Sequence, residues 1–148
     1  MSEENKILTR RLVEELFGQG NLNIVEEIVD ANYVGHDPDN PQEMHGPEDV
    51  KQFASMYLNA FSDIQISVED QIAEGDKVVT RWRGTGTHQG KLMGIPPTGN
   101  RAELIGITIS SIANGKIVEE WTTSGTLSMM QQLGVVSPPG QGAGVESG

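Results

Sequence analysis

Glu119 and His36 are the residues of this chain whose types and surroundings are best suited to acid–base chemistry. Glu119 lies two residues before Trp121, in a segment that alternates apolar and polar side chains. A carboxylate beside an indole and several isoleucines loses solvation, which suits it to act as a general acid or base. His36 is followed by Asp37, and an adjacent carboxylate can orient an imidazole ring for proton transfer. The alternative for Glu119 is a position at the sheet edge, solvated or paired with Lys116 or an arginine.

The other histidines, His45 and His88, are less well placed for chemistry. His45 precedes a predicted helix, and His88 ends a predicted strand at a loop. No two histidines have the short spacing that is typical of metal ligands, so no metal site is predicted. The sequence also contains no nucleophile elbow, phosphate-binding loop or dinucleotide-binding motif, so no cofactor is expected. For each histidine a structural role is the alternative.

The composition excludes several classes of function. The chain has 148 residues, enough for one domain with a substantial core, and no cysteine, so it has no disulfide and no thiolate chemistry. A net charge of -11 opposes binding to nucleic acid, which requires a cationic surface. No apolar run reaches membrane-spanning length, and the acidic N-terminus lacks a signal-peptide pattern. A cytoplasmic protein without a membrane partner is therefore expected.

The first half of the sequence predicts helices. Apolar residues recur at helical spacing in three segments, and glycines follow the first of them. The third helix begins near Gly46-Pro47, with proline in the first turn and acidic residues at the positive end of the helix dipole. His36 falls in the connection that precedes this helix. The three apolar stripes are Leu8, Leu12, Val13 and Leu16; Ile24, Val25, Ile28 and Val29; and Val50, Phe53, Ala54, Tyr57, Leu58 and Phe61.

The second half predicts an antiparallel sheet and a final short helix over 127–133. In the first strand Ile64, Ile66, Val68 and Ile72 alternate with polar residues, which indicates one buried face. Three further strands are expected over 77–88, 101–112 and 116–125.

Helices followed by an antiparallel sheet indicate an α+β domain over 1–134. In such a domain a curved, cone-shaped sheet with helices across its concave face encloses a pocket for a ligand. Residues 135–148 are rich in glycine, proline and serine, and we predict that they form a disordered tail.

The turn at Asn114-Gly115 decides which strand residues face the pocket. A two-residue turn would pair Ala113 with Lys116, whereas a three-residue turn with a bulge at Gly115 shifts the pairing by one residue. The second register separates apolar from polar side chains and is preferred for that reason. The inner face that it predicts contains Ile105, Ile107, Ile109, Ser111, Ile117, Glu119, Trp121, Thr123 and Gly125.

An apolar small molecule is the ligand that such a face would bind. Trp82, on the preceding strand, is either a pocket wall or part of the core. The expected catalytic residues are Glu119 and His36, and the expected substrate-binding residues are Trp121, His88, Ser111, Thr123, Ile107, Ile109, Trp82 and Tyr57.

A Gly- and Pro-rich segment, GTHQGKLMGIPPTG over 86–99, connects two of the predicted strands. Loops of this composition between two strands commonly form the rim of a ligand site. We therefore expect this loop to border the pocket.

Several motifs resemble those of the SnoaL-like polyketide cyclases, within the ketosteroid isomerase-like and nuclear-transport-factor-like α+β superfamily. The resemblance covers nearly all of the chain before the tail. The matching segments are HDP at 36–38, HGPE at 45–48, GTHQG at 86–90, GIPPTG at 94–99, NGKIVEEW at 114–121 and QQLG at 131–134.

The resemblance implies ring closure by intramolecular aldol addition, without a metal or a cofactor. It places the proton-moving carboxylate four residues after the tryptophan, which in this chain is Gly125. An enzyme would therefore use Glu119 or His36 in place of that carboxylate. A second hypothesis is a protein that binds an apolar ligand without chemistry. A third is an interaction domain, because sheets of this superfamily often pair into homodimers through their outer face.

Overall fold

The fold is known from a computed structural model that describes residues 2–136. Of the predicted tail, residues 137–148 lie outside the described range. The helices are α1 (Ser2–Arg11), which continues as a π-helix over Leu12–Gly18, α2 (Ile24–Ile28), α3 (Gly46–Ala60) and α4 (Thr126–Gln132). The strands are β1 (Val29–His36), β2 (Met44–His45), β3 (Gln65–Glu74), β4 (Lys77–Thr87), β5 (Arg101–Ala113) and β6 (Lys116–Ser124).

The described strands form one curved, unclosed sheet in the order β2-β1-β6-β5-β4-β3. Neighbouring strands are antiparallel except β1 and β6, which run parallel. The helices cover the concave face, so the α+β prediction is confirmed. Strand β1 differs from the prediction: the sequence predicts a helix at Val29 and a connection at His36, but both residues lie in this strand. The reason is that β1 is stabilised by pairing with β6, which is distant in sequence.

The start of α3 shows why this helix was predictable. Pro47 stands in the first turn, where an amide hydrogen would have no partner within the helix. The carboxylate of Asp49 accepts a hydrogen bond of 2.8 Å from the amide of His45, which ends the preceding strand β2. The apolar stripe of α3 then lies against the sheet.

Two hydrophobic clusters hold the helices on the sheet. The first lies between the N-terminal helices and one end of the sheet, and the second lies between the end of α3, the 88–100 loop and α4. The first includes Leu12, Leu16, Val25, Ile28, Val29, Val50, Val78, Ile112 and Ile117. The second includes Ala60, Phe61, Leu92, Ala102, Met129 and Leu133.

The loop over 88–100 is anchored to the end of α3. The amides of Gln89 and Gly90 both donate to the carbonyl oxygen of Ala60, at 2.9 and 3.0 Å. The amide of Thr98 donates to Nδ1 of His88, and Leu92 is fully buried in the second cluster. The GTHQG and GIPPTG motifs are thus explained by loop closure and packing.

Replacing Gly90 with alanine is expected to lower the free energy of unfolding by about 1–3 kcal/mol. A Cβ at this position would overlap the backbone carbonyl oxygen of Asn59, and backbone atoms cannot move aside as a flexible side chain can. Urea denaturation measures the difference. The matched control is Gly84→Ala, whose added Cβ would lie 3.7 Å from its nearest neighbour, in Ile66. Equal stabilities of the two variants would contradict the prediction.

Candidate functional site

A cavity of about 170 Å³ lies between the helices and the concave face of the sheet. An engineered protein cavity of about 150 Å³ holds benzene, so this space suits a ligand of one or two rings. Aromatic and aliphatic side chains of the helices line one side of the cavity, and the sheet contributes small polar side chains together with Tyr33 and Trp82. The aromatic residues are Phe17, Tyr33, Phe53, Tyr57, Phe61 and Trp82, and the polar sheet residues are Thr80, Thr108, Ser110, Glu120, Thr122 and Ser124.

Glu120, on β6, is the acidic residue of the sheet wall. Its carboxylate accepts hydrogen bonds from the hydroxyl of Tyr33 at 3.0 Å and from the hydroxyl of Ser110 at 2.6 Å. Burial raises the pKa of Glu120, and the two hydrogen bonds oppose this rise without cancelling it. The carboxyl group is therefore poised to hold or release a proton inside an apolar cavity.

Gly35 makes room for the Tyr33 contact. In the parallel pairing of β1 with β6, Gly35 stands beside Glu120. A Cβ on Gly35 would lie 2.7 Å from the Tyr33 hydroxyl oxygen, which is too close. The absence of a side chain therefore lets the tyrosine ring lie along β1 and reach the carboxylate. Burial and the nearby Glu120 charge raise the pKa of Tyr33, so its hydroxyl stays protonated and acts as a donor.

Asp37 and Tyr57 form a second polar region of the cavity lining. Asp37 follows the end of β1, and burial raises the pKa of its carboxyl group. Tyr57 comes from α3; burial, followed by the charges of Asp37 and Asp39, raises the pKa of Tyr57 to about 12. A protonated phenol and a second carboxyl group are thus available besides Glu120.

The structure places the predicted catalytic pair, Glu119 and His36, on the other face of the sheet. They do contact each other: Nε2 of His36 lies 2.7 Å from the Glu119 carboxylate, and Nδ1 lies 2.9 Å from that of Glu43. The imidazole also stacks on Trp121, with ring centroids 5.5 Å apart. The bond to Glu119, with help from Glu43, raises the pKa of His36. This cluster is separated from the cavity by the sheet itself.

The prediction that this face is the inner one is wrong. Ile107, Ile109 and Trp121 are 48%, 38% and 38% exposed. Within the described residues, the cavity lining includes none of these three, and it does not include Ser111 or Thr123. The apolar lining comes instead from helix residues such as Phe17, Phe53 and Tyr57 and from Tyr33 and Trp82 on the strands.

Two further predicted contact residues, Trp82 and Tyr57, do border the cavity. The Trp82 indole donates a 3.1 Å hydrogen bond to Thr108, and it lies where a side chain on Gly106 would stand. His88 is fully buried but lies outside the cavity lining, as do the other described residues of the 88–100 loop. The expectation that this loop borders the pocket is therefore corrected: the loop packs on α3 and α4.

A β-bulge explains the register. Asn114 and Gly115 both have positive φ angles, 54° and 75°, and form a two-residue turn that pairs Ala113 with Lys116. The predicted three-residue turn is thus wrong. However, the pairing then shifts between Ser111 and Ile112, which leaves Val118 as an extra residue on β6.

The bulge changes which residues of β6 share a face. Ile117 stands opposite Ile112 and is buried, but Glu119 stands opposite Ser111 on the outer face. With Val118 as the extra residue, Ile109 stands opposite Trp121. Glu120 then stands opposite Ser110 and faces the cavity.

Sequence reasoning missed Glu120 because it assigned the polar face of β5 and β6 to solvent. One feature of the sequence does indicate that this face lines a cavity. That face carries small Thr and Ser side chains, which leave space for the bulky rings of the apolar stripe on α3. A lone carboxylate among short hydroxyl side chains, opposite an aromatic helix, predicts a cavity rather than a solvated surface.

Comparison with known proteins identifies the family. The sequence profile of the SnoaL-like polyketide cyclases matches residues 7–133. This chain belongs to that family. No curated protein matches this SnoaL-like chain significantly.

Solved structures similar to this SnoaL-like protein include members of the same family and of the wider fold. IdmH from Streptomyces antibioticus, named as a candidate polyketide cyclase, is 31% identical, with a TM-score of 0.76 over 88% of this chain and 99% of that one. AclR from Streptomyces galilaeus, named as a candidate hydroxylase, is 28% identical, with a TM-score of 0.82 over 93% and 85%. A Catenulispora acidiphila protein with a ketosteroid isomerase-like fold, 14% identical, has a TM-score of 0.72 over 86% and 92% and shows the fold alone.

At the position where the family resemblance implies an acidic residue, this SnoaL-like protein has Gly125. It precedes α4 and follows Ser124, which lines the cavity. A Cβ there would lie 3.8 Å from its nearest neighbour, so the space for a side chain exists but is unused.

Within residues 2–136, no three His, Asp or Glu side chains come together as metal ligands. None of the helices in this range is long and apolar enough to cross a lipid bilayer.

Proposed function

We propose that this protein performs acid–base chemistry on a small apolar carbonyl compound of polyketide type, an aldol-type cyclisation or an isomerisation. The observation that carries the proposal is the Glu120 carboxyl group, whose pKa is raised by burial in an apolar cavity. Glu120 takes the role that the sequence analysis gave to Glu119 and His36, because those residues lie across the sheet. Membership of the SnoaL-like family supports this class of reaction.

In the proposed mechanism the Glu120 carboxylate removes a proton from the carbon next to a substrate carbonyl. The electron pair of the C–H bond moves into an enolate, whose oxygen accepts a hydrogen bond from the Tyr57 hydroxyl. In cyclisation the enolate carbon forms a bond to a second carbonyl carbon, and the resulting alkoxide takes the proton back from Glu120. In isomerisation the proton returns to another carbon. The bonds from Tyr33 and Ser110 hold the carboxylate in place throughout.

Proton exchange in a model ketone tests the proposal without knowledge of the natural substrate. In D₂O, 2-tetralone should exchange its α-protons faster with the protein than with acetate at equal carboxylate concentration, as measured by NMR. The rate should saturate with ketone concentration, because exchange takes place in the cavity. Exchange that does not saturate, or that only equals the rate with acetate, would overturn the proposal.

A second candidate function is binding without chemistry. One observation favours it: both carboxylate oxygens of Glu120 already accept hydrogen bonds from protein hydroxyls, an arrangement that also serves a purely structural carboxylate. Saturable binding of 2-tetralone with no exchange above the acetate control would select this function.

A homodimer formed through the outer face of the sheet belongs to the same proposal. Ile105, Ile107 and Ile109 form an exposed apolar stripe along β5. On one side of the stripe, β4 carries the basic residues Lys77, Arg81 and Arg83. On the other side lie two acidic residues, Glu119 on β6 and Glu43 just before β2. A two-fold axis parallel to β5 would bring the basic side of one copy over the acidic side of the other, which supports a second copy as the occupant.

Ile107→Lys is expected to convert this dimer into a monomer at about 10 μM, because it puts a charge into the centre of an apolar interface. Sedimentation velocity measures the change. Ile72→Lys is the matched control, since Ile72 is 64% exposed but lies on β3, away from the stripe. Sedimentation of the unmodified protein as a monomer at about 100 μM would refute the dimer.

A further inference from the structure

The charged side chains around the cavity all have one sign. Two carboxyl groups, those of Glu120 and Asp37, line it, and no lysine, arginine or histidine of residues 2–136 does. An anionic ligand would therefore lose its hydration without gaining a cationic partner. Such a cavity discriminates strongly against carboxylates and phosphates.

The aromatic residues are concentrated around the same space. Every aromatic residue of the chain except Trp121 lines the cavity. Four of their rings form a continuous series: Phe17 to Phe53 at 6.5 Å, Phe53 to Tyr57 at 5.2 Å and Tyr57 to Phe61 at 6.4 Å between centroids. The charge of Asp37 helps to raise the pKa of Tyr57, so this carboxyl group lies close to one ring of the series.

We propose that the natural ligand carries a positive charge, as a protonated or quaternary amine on an apolar body, and that Asp37 and the aromatic series bind its cationic end. This inference deepens the proposed function and rests on it for the identity of the site. Combined with that function, it names the substrate class as an amino-carbonyl compound.

Three physical effects favour such a ligand. Aromatic faces attract an ammonium group electrostatically, and the attraction is stronger when water is excluded. The Asp37 and Glu120 carboxyl groups become favourable partners for a cation, since it stabilises their ionised forms. The net charge of -11 also raises the local concentration of cations around the protein. An uncharged apolar ligand would gain only from the burial of its surface.

Three isosteric probes separate charge from shape: choline, the uncharged 3,3-dimethylbutan-1-ol and the anion 3,3-dimethylbutanoate. The chain has two tryptophans, and Trp121 lies on the outer face. In a Trp121→Phe background the fluorescence of Trp82 therefore reports binding in the cavity alone. We expect choline to bind at least tenfold more tightly than the alcohol, and the anion more weakly than either.

Variants of the cavity residues test which side chains bind the cationic group of choline. Asp37→Asn and Tyr57→Leu should each weaken choline binding at least fivefold and change binding of the alcohol less than twofold. Glu119→Gln removes the same charge from the outer face and should leave choline binding unchanged. Equal or tighter binding of the alcohol by the Trp121→Phe protein would overturn the inference, and this comparison needs no variant in the cavity. Unchanged choline affinity in both Asp37→Asn and Tyr57→Leu would overturn it as well.

The two proposals can fail separately. If 2-tetralone exchange saturates but choline has no advantage over the alcohol, the proposed chemistry stands and the cationic ligand is wrong. If choline binds preferentially but 2-tetralone exchanges no faster than with acetate, the cavity binds cations and the proposed chemistry is wrong.

Discussion

Glu120→Gln is expected to slow the saturable exchange of 2-tetralone α-protons at least a hundredfold. A positioned general base contributes about 10²–10⁴-fold to such a step, and glutamine cannot accept a proton. The amide is nearly isosteric with the carboxyl group. Its oxygen can accept a hydrogen bond from one of the two hydroxyls, and its NH2 group can donate to the oxygen of the other. The loss should therefore arise from proton transfer, with the fold retained. NMR measures the rates at equal protein concentration.

The adjacent residue provides the matched control. Glu119→Gln is the same chemical change, one residue earlier, on the opposite face of the sheet. We expect its exchange rate to lie within twofold of that of the unmodified protein. If Glu119→Gln or His36→Ala abolished exchange while Glu120→Gln did not, the role would belong to the Glu119–His36 pair after all.

The same Glu120→Gln variant is expected to unfold at higher urea concentration than the unmodified protein at neutral pH. Burial raises the pKa of Glu120 in the folded state above its value in the unfolded chain, so folding favours the protonated form. Its contribution to stability is fully present below the unfolded-state pKa and is lost as the pH rises through the folded-state pKa. Each pH unit between these two values corresponds to about 1.4 kcal/mol. Glutamine has no proton to lose, so the variant escapes this loss.

Urea denaturation between pH 4 and pH 8 measures the effect. The two proteins should differ least near pH 4, where Glu120 is protonated in the folded state and largely protonated in the unfolded chain. The advantage of the variant should grow with pH and level off above the folded-state pKa. Asp37, whose pKa is also raised, is present in both proteins and cancels from the difference. An advantage that is independent of pH, or that grows as the pH falls, would contradict the burial of Glu120.

The sequence predicted most helices and strands because their signals are local. Pro47 and the acids that follow it mark the start of α3, and its apolar stripe defines the face that meets the sheet. Strand β1 was not predictable in this way. Its segment, VDANYVGH, has no clear alternation, and its pairing with β6 brings together residues more than 80 positions apart.

The candidate site was harder to predict because two bulges change the alternation on which strand faces are judged. On β3 the pairing shifts between Val68 and Asp70, so Ile72, expected inside, is 64% exposed, and Gln71 turns inward to donate to Thr9. On β6 the extra residue Val118 has the same effect. Bulges leave no strong signal in a single sequence.

The hydrophobic side chains of β5 also led to a wrong prediction of which face of the sheet is buried. Ile105, Ile107 and Ile109 of β5 were expected on the buried face, but they lie on the outer face of the sheet and are exposed. Trp82 and Tyr57 were predicted as ligand contacts and do line the cavity, since each belongs to an apolar pattern that both a core and a pocket require.

The bulge at Val118 also fixes the register in which β6 pairs with β5. If Val118 joined the ladder, Glu119 would stand opposite Ser110 and a glutamate would still occupy the cavity, so the acid alone cannot distinguish the two alignments. Trp121, which follows the two glutamates, does distinguish them. In the slipped alignment Trp121 would turn inward opposite Thr108, where the Trp82 indole already binds, and two indoles would compete for one space. Steric exclusion by a tryptophan outside the cavity thus protects the alignment of the groups inside it.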